Sequence, residues 1–115
     1  MAKAEQFARA ATVVRDLADE ADDVADAYVT LCVHAGIAAA DVICAVRLGY
    51  FASGERHDEA VTLLSSVDGA AAKHLAVLLG MKTAAGYGHA PVSSTRAVRA
   101  GRAAEALVEA ARTTR

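Results

Sequence analysis

Between Tyr28 and Val46 the chain runs Tyr-Val-Thr-Leu-Cys-Val-His-Ala-Gly-Ile-Ala-Ala-Ala-Asp-Val-Ile-Cys-Ala-Val, and Asp41 carries the only formal charge in it. Such a stretch has neither the two-residue alternation of a half-buried strand nor the single apolar stripe of a surface helix. It reads as a helix, from about Asp22 to Tyr50, that is apolar nearly all round. Such a helix needs neighbours on several sides, so the rest of the chain must supply helices to cover it. Within it, the run from Ala35 to Ala40 offers a small-residue surface where another backbone can come close. Asp41 and Arg47 are six residues apart, too far round the helix to pair, so each is expected at a different edge of the bundle. The longest uncharged run, between Asp26 and Asp41, reads as too short and too polar to span a bilayer.

The flanking segments meet that requirement. A first helix over Lys3–Ala18 places Phe7, Ala11, Val14 and Leu17 on one side at three- and four-residue steps. Ser53 and Gly54 mark a turn, and a third helix over Glu55–Ser66 turns Ala60, Leu63, Leu64 and Val67 inward. A fourth covers Ala70–Ala85 with Leu75, Leu78, Leu79 and Met81 facing the core, and Gly86, Gly88 and Pro91 are read as its end. Ser93 or Ser94 caps a fifth helix reaching Ala111, with Ala97, Ala100, Ala104, Leu107 and Val108 inward. No alternating β pattern and no solenoid repeat appears. The 115 residues therefore read as one all-α domain, a four- to five-helix up-and-down bundle.

Composition enters through alanine. Apolar residues make up 55% of the chain but aromatics only 4%, which suits helices packing closely over small side chains and leaves little for a bulky sandwich core. Cys32 and Cys44 lie twelve residues apart on the same helix, roughly 18 Å, beyond disulfide reach. They are expected to be buried free thiols in a reducing compartment, and with no visible signal peptide the expected location is cytoplasmic.

A net charge of −2 argues against strong, sequence-independent nucleic-acid binding. The charge is uneven, however. Asp16, Asp19, Glu20, Asp22, Asp23 and Asp26 crowd the junction of the first two helices. From Lys82 onward, Lys82, Arg96, Arg99, Arg102, Arg112 and Arg115 outnumber Glu105 and Glu109. Such a segment can present a modest basic face or simply a solvated helix surface.

Catalytic signatures are sparse. There is no phosphate-binding glycine loop and no local nucleophile motif. His34, His57, His74 and His89 show no metal-ligand spacing with cysteine or carboxylate, so neither metal nor cofactor is implied. His34 reads as a core histidine, and His57 as a surface or turn-bonding residue or a catalytic one. The segment Lys82 to Ser94 places Lys82, Tyr87 and His89 at a helix end among glycines. There a cation, a phenol and an imidazole can hold a phosphate and move a proton. The alternative is that Tyr87 packs on the bundle end and the other two meet solvent.

Several of these segments together resemble the HEPN domain family, in particular its small stand-alone actinobacterial members. The matching residues are His34 to Asp41 with Arg47-Leu48-Gly49; then Gly54, His57, Ala60, Leu63 and Leu64; then Leu78 to Lys82, Ala85 to Tyr87, and the Pro-Val-Ser turn into the last helix. The resemblance covers about Ala4 to Ala111. It implies a HEPN-like bundle that commonly dimerises, and a role in toxin–antitoxin or defence-type systems. Many HEPN proteins are metal-independent ribonucleases, whose motif is an arginine followed after four to six residues by a histidine near the end of a late helix. Here Lys82 and His89 bracket six residues, with lysine, a point charge without the planar fork, in place of arginine.

The leading expectation is a dimeric HEPN-like module that binds RNA, a nucleotide or a protein such as a cognate antitoxin, without strong catalysis. Arg47, His57, Lys82, Tyr87 and His89 are its candidate ligand-binding residues. The alternative is a metal-independent ribonuclease using Lys82, Tyr87 and His89. A third reading is a regulatory dimer whose acidic segment recognises a basic protein. The small-residue face of helix two and the alanine-rich helix five are the expected dimer surfaces.

Overall fold

The computed structural model describes residues 1–18, 24–52, 57–87 and 92–115; the side chains at 83, 84, 86 and 87 are not described. Five helices carry the chain: α1 (Ala2–Leu17), α2 (Ala25–Leu48), α3 (His57–Ser65), α4 (Gly69–Tyr87) and α5 (Ser94–Thr113). Among the described residues there is no strand. The molecule measures 42 × 24 × 21 Å.

Local chemistry sets the helix ends. Gly49 at φ 84° takes the left-handed conformation that stops α2, and its N–H donates to the Ala45 carbonyl at 3.0 Å. The Asp68 carboxylate accepts from the Ala71 N–H at 3.0 Å and opens α4, and the Ser93 hydroxyl accepts from the Arg96 N–H and opens α5. Gly86 does not end α4, contrary to expectation: the helix continues to Tyr87. A glycine inside a helix costs about 1 kcal/mol against alanine but stops nothing unless it turns left-handed. The turn expected at Ser53 and Gly54, and the stop at Gly88 and Pro91, lie outside the described residues.

As its composition requires, α2 is the central helix and touches all four others. Val29, Val33 and Ile43 of α2, Leu64 of α3, Leu75 and Leu78 of α4 and Leu107 of α5 are the largest fully buried side chains. The small residues are spent inside the protomer. Ala35, Gly36, Ala39 and Ala40 of α2 are buried, as are Ala100, Ala103, Ala104 and Ala111 of α5, and α2 and α5 pack on each other. The buried small residues of α2 and α5 thus serve the protomer's own core. The Asp26 carboxylate accepts from the Val92 N–H at 2.8 Å, joining the start of α2 to the segment just before α5. Arg112 and Glu5, 3.0 Å apart, join the end of α5 to the start of α1.

Three other expectations need correction. Leu17, the last residue of α1, is 80% exposed. His34 is exposed rather than buried and stacks on Phe7 of α1, ring centroids 5.2 Å apart. Asp41 does not interrupt α2, whose 24 residues are long and apolar enough to cross a membrane by length and composition. Half of its most apolar window is instead buried against the other helices. Asp41 itself is half-buried, which raises its pKa, and the charge of Lys3 on α1 moderates the rise.

Both cysteines are free and buried, as expected. Burial pushes the Cys32 thiol up to about 11, against a hydrogen bond from Tyr28 that acts the other way, and raises Cys44 as well. An unfolded thiol ionises near pH 9 while the folded one stays protonated. This part of the stability is therefore fully present below pH 9 and is lost as pH rises towards 11. Thermal melts from pH 7 to 11 should show a constant midpoint to about pH 8.5 and then a progressive fall, shallower in Cys32→Ala. A midpoint equally steep in the variant would remove Cys32 as the cause.

Candidate functional site

The short α3 folds back on α4 through Ser66-Val67-Asp68, where the Val67 and Asp68 N–H groups both donate to the Leu64 carbonyl. Leu64, fully buried, and Ala71, Ala72 and Leu75 hold the two helices together. This hairpin carries the first residue of α3 to the last turns of α4. There Lys82 Nζ lies 3.1 Å from His57 Nε2. Lys82 follows Leu78 by one turn, so its stem leaves the core edge, and both partners are half-buried.

The chemistry of the pair follows from its donors. An ammonium has no lone pair, so with Lys82 as the donor it is Nε2 that accepts. The described ion pairs are Arg15–Asp16, Arg112–Glu5 and Arg112–Glu109. Among the described residues Lys82 therefore has no carboxylate within ion-pair reach. Two ammonium hydrogens then remain for an incoming anion, beside the positive end of α3.

The other sequence candidates divide. Tyr87 is the last residue of α4, and His89 lies outside the described residues, as do Asp19, Glu20, Asp22 and Asp23. Arg47 is exposed in the last turn of α2, where a cation complements the helix C-terminus. It does not join Lys82. Gly36 faces Leu78, Arg47 lies eleven residues beyond that level on α2, and Lys82 lies four residues beyond it towards the end of α4 near Asp26. At 1.5 Å per residue the two cations are separated by roughly 22 Å along the bundle. Among the described residues no group of three histidine, cysteine or carboxylate side chains could hold a metal ion.

A concavity that the sequence reading missed lies on another flank, between α1 and α5 above α2. Two adjoining cavities of about 340 Å3 each share Arg15, Tyr28, Gly101 and Glu105. A Cβ at Gly101 would overlap the Tyr28 hydroxyl, so glycine is what lets α5 lie against this phenol. The available signal was a glycine in the middle of an alanine-rich helix, facing a tyrosine on the apolar helix.

Compared with known protein families, curated proteins and solved structures, the chain matches none.

Proposed function

We propose that the chain is a HEPN-like, homodimeric, cytoplasmic binding module that takes the phosphate of an RNA strand or nucleotide at Lys82 and His57, without strong catalysis. The contact between Lys82 and His57 carries this reading. It holds a cation with unused ammonium hydrogens at the first turn of α3, with no carboxylate within ion-pair reach among the described residues, which suits a phosphate oxygen. It also occupies the imidazole lone pair at Nε2, which a general base would need free. An overall charge of −2 fits short, local recognition better than a duplex footprint. The second protomer is assigned to the open side of α2, where Ala27, His34, Ala45 and Val46 are exposed.

Fluorescence anisotropy with a short single-stranded RNA, in chelator and at 50 and 200 mM salt, tests the reading. Lys82→Ala is expected to weaken binding about tenfold and to flatten the salt slope by about 0.7, one phosphate contact on a single strand. His57→Ala should weaken it less, and the RNA should stay intact throughout. Light scattering on the same samples should give twice the 11.8 kDa chain mass. Equal affinity of Lys82→Ala and wild type would end the assignment. Chelator-resistant cleavage would hand the protein to the ribonuclease reading.

A further inference from the structure

We propose that the Lys82–His57 pair selects a terminal phosphomonoester over an internal phosphodiester, and that His57 takes up a proton from solvent when the monoester binds. The inference rests on the phosphate-binding reading of this site. Lys82 Nζ and His57 Nε2 are 3.1 Å apart, so an anion that reaches the ammonium also lies against this ring nitrogen. Without an anion, Nε2 accepts from the ammonium. A phosphate oxygen that draws the ammonium to itself leaves the Nε2 lone pair facing an acceptor. A proton on Nε2 turns that repulsion into a charge-assisted hydrogen bond. In the empty site the same proton would set two cations side by side, with no carboxylate within ion-pair reach among the described residues. Anion and proton therefore enter together, each raising the affinity for the other.

Charge decides between the two classes of phosphate. A phosphodiester carries one negative charge, which the Lys82 ammonium balances alone. A phosphomonoester carries nearly two at pH 7 and leaves the second for an imidazolium. The other groups near His57 do not compete for that role. On α3, Asp58 and Glu59 follow it in the first turn, both exposed and neither within ion-pair reach of its ring, and their field favours the charged imidazole. On α4 the titratable side chains before Lys82 are His74 and Lys73, roughly 12 Å or more back along the helix. On α2, Tyr28 and Cys32 line the α1–α5 cavities, His34 stacks on Phe7, and Asp26 holds the Val92 N–H. Further along, Asp41 lies in the field of Lys3 beside Cys44, and Arg47 is at the far end of the helix.

The probes are a short oligouridine with a 5′-phosphate and the same oligomer with a 5′-hydroxyl, each labelled at the 3′ end. The complex with the monoester holds one proton more than its separate parts, so its affinity should rise as pH falls. The 5′-phosphate form should bind about tenfold more tightly at pH 6.5 than at pH 8, and the 5′-hydroxyl form should change by less than about twofold. Calorimetry at pH 7 in buffers of different ionisation enthalpy should show uptake of about half a proton or more with the monoester. His57→Gln puts an uncharged amide in place of the imidazole, so it should flatten the pH profile and remove most of the preference for the 5′-phosphate. No proton uptake, or a pH slope that survives in His57→Gln, would overturn the inference. If Lys82→Ala still weakens both oligomers in that event, the RNA reading stands without it. Indifference of both oligomers to Lys82→Ala would end the two together.

Discussion

Leu78→Ala is expected to destabilise the protein by about 3 kcal/mol, and Gly36→Ala to reverse its sign in that background. Leu78 is fully buried where α2, α4 and α5 meet. Truncating it removes transfer energy and opens a cavity that alanine-lined helices cannot easily collapse into. Gly36 lies directly beneath it. A Cβ there would overlap the Leu78 Cδ1 methyl and come within 3.2 Å of Leu107 Cδ1. Both leucines are fully buried and have no open space to turn into, so Gly36→Ala alone should cost roughly 1–2 kcal/mol by overpacking. Once Leu78 is alanine the main obstruction is gone. The new methyl then fills part of the void and adds helix propensity, for a gain of about 1 kcal/mol. Urea unfolding of the four proteins measures the coupling. Strict additivity would mean that the three helices do not meet as closely at Gly36 as described.

Much of this core was legible in advance, for a simple reason. A helix apolar on nearly every side needs other helices packed against it, and α2 touches all four. The inward positions of α3, α4 and α5 followed from three- and four-residue spacing, and Leu64, Leu75, Leu78 and Leu107 are all buried. Periodicity was weaker at edges. It put Leu17 in the core because it continues the stripe of Phe7 and Ala11, but at the last residue of α1 that side chain is 80% exposed. It put His34 inside because its neighbours are apolar, yet even α2 has an open side. The small residues from Ala35 to Ala40 were read as an outer contact surface; small size allows a close approach but does not say which helix makes it. Lys82 and His57 were each singled out, but their meeting depends on the α3–α4 turn, 25 residues of chain that no local spacing encodes. The groove was invisible for the same reason, since its floor and its lip come from three different helices.

The acidic run between Asp16 and Asp26 shows the same limit, and its members should behave very differently when neutralised. Asp16 makes an exposed pair with Arg15, and both side chains are more than half exposed. Such pairs are worth about 0–1 kcal/mol, so Asp16→Ala should change stability by at most about 0.5 kcal/mol. Asp26 has the same charge and a different task. Its carboxylate accepts the Val92 N–H at 2.8 Å, and Val92 is only 7% exposed. Asp26→Ala leaves that amide buried without its partner and removes a negative charge from the first turn of α2, for a loss of about 2 kcal/mol. Asp26→Asn keeps an oxygen acceptor in place and should lose less than half as much. Hydrogen exchange separates a local from a general effect. In Asp26→Ala the Val92 amide should exchange at least tenfold faster relative to the Leu107 amide, while Asp16→Ala should leave that ratio alone. Equal losses in Asp16→Ala and Asp26→Ala would mean that the acidic run acts through its summed charge. A loss confined to Asp26 would mean that one carboxylate fastens the entry of α5 to the start of α2.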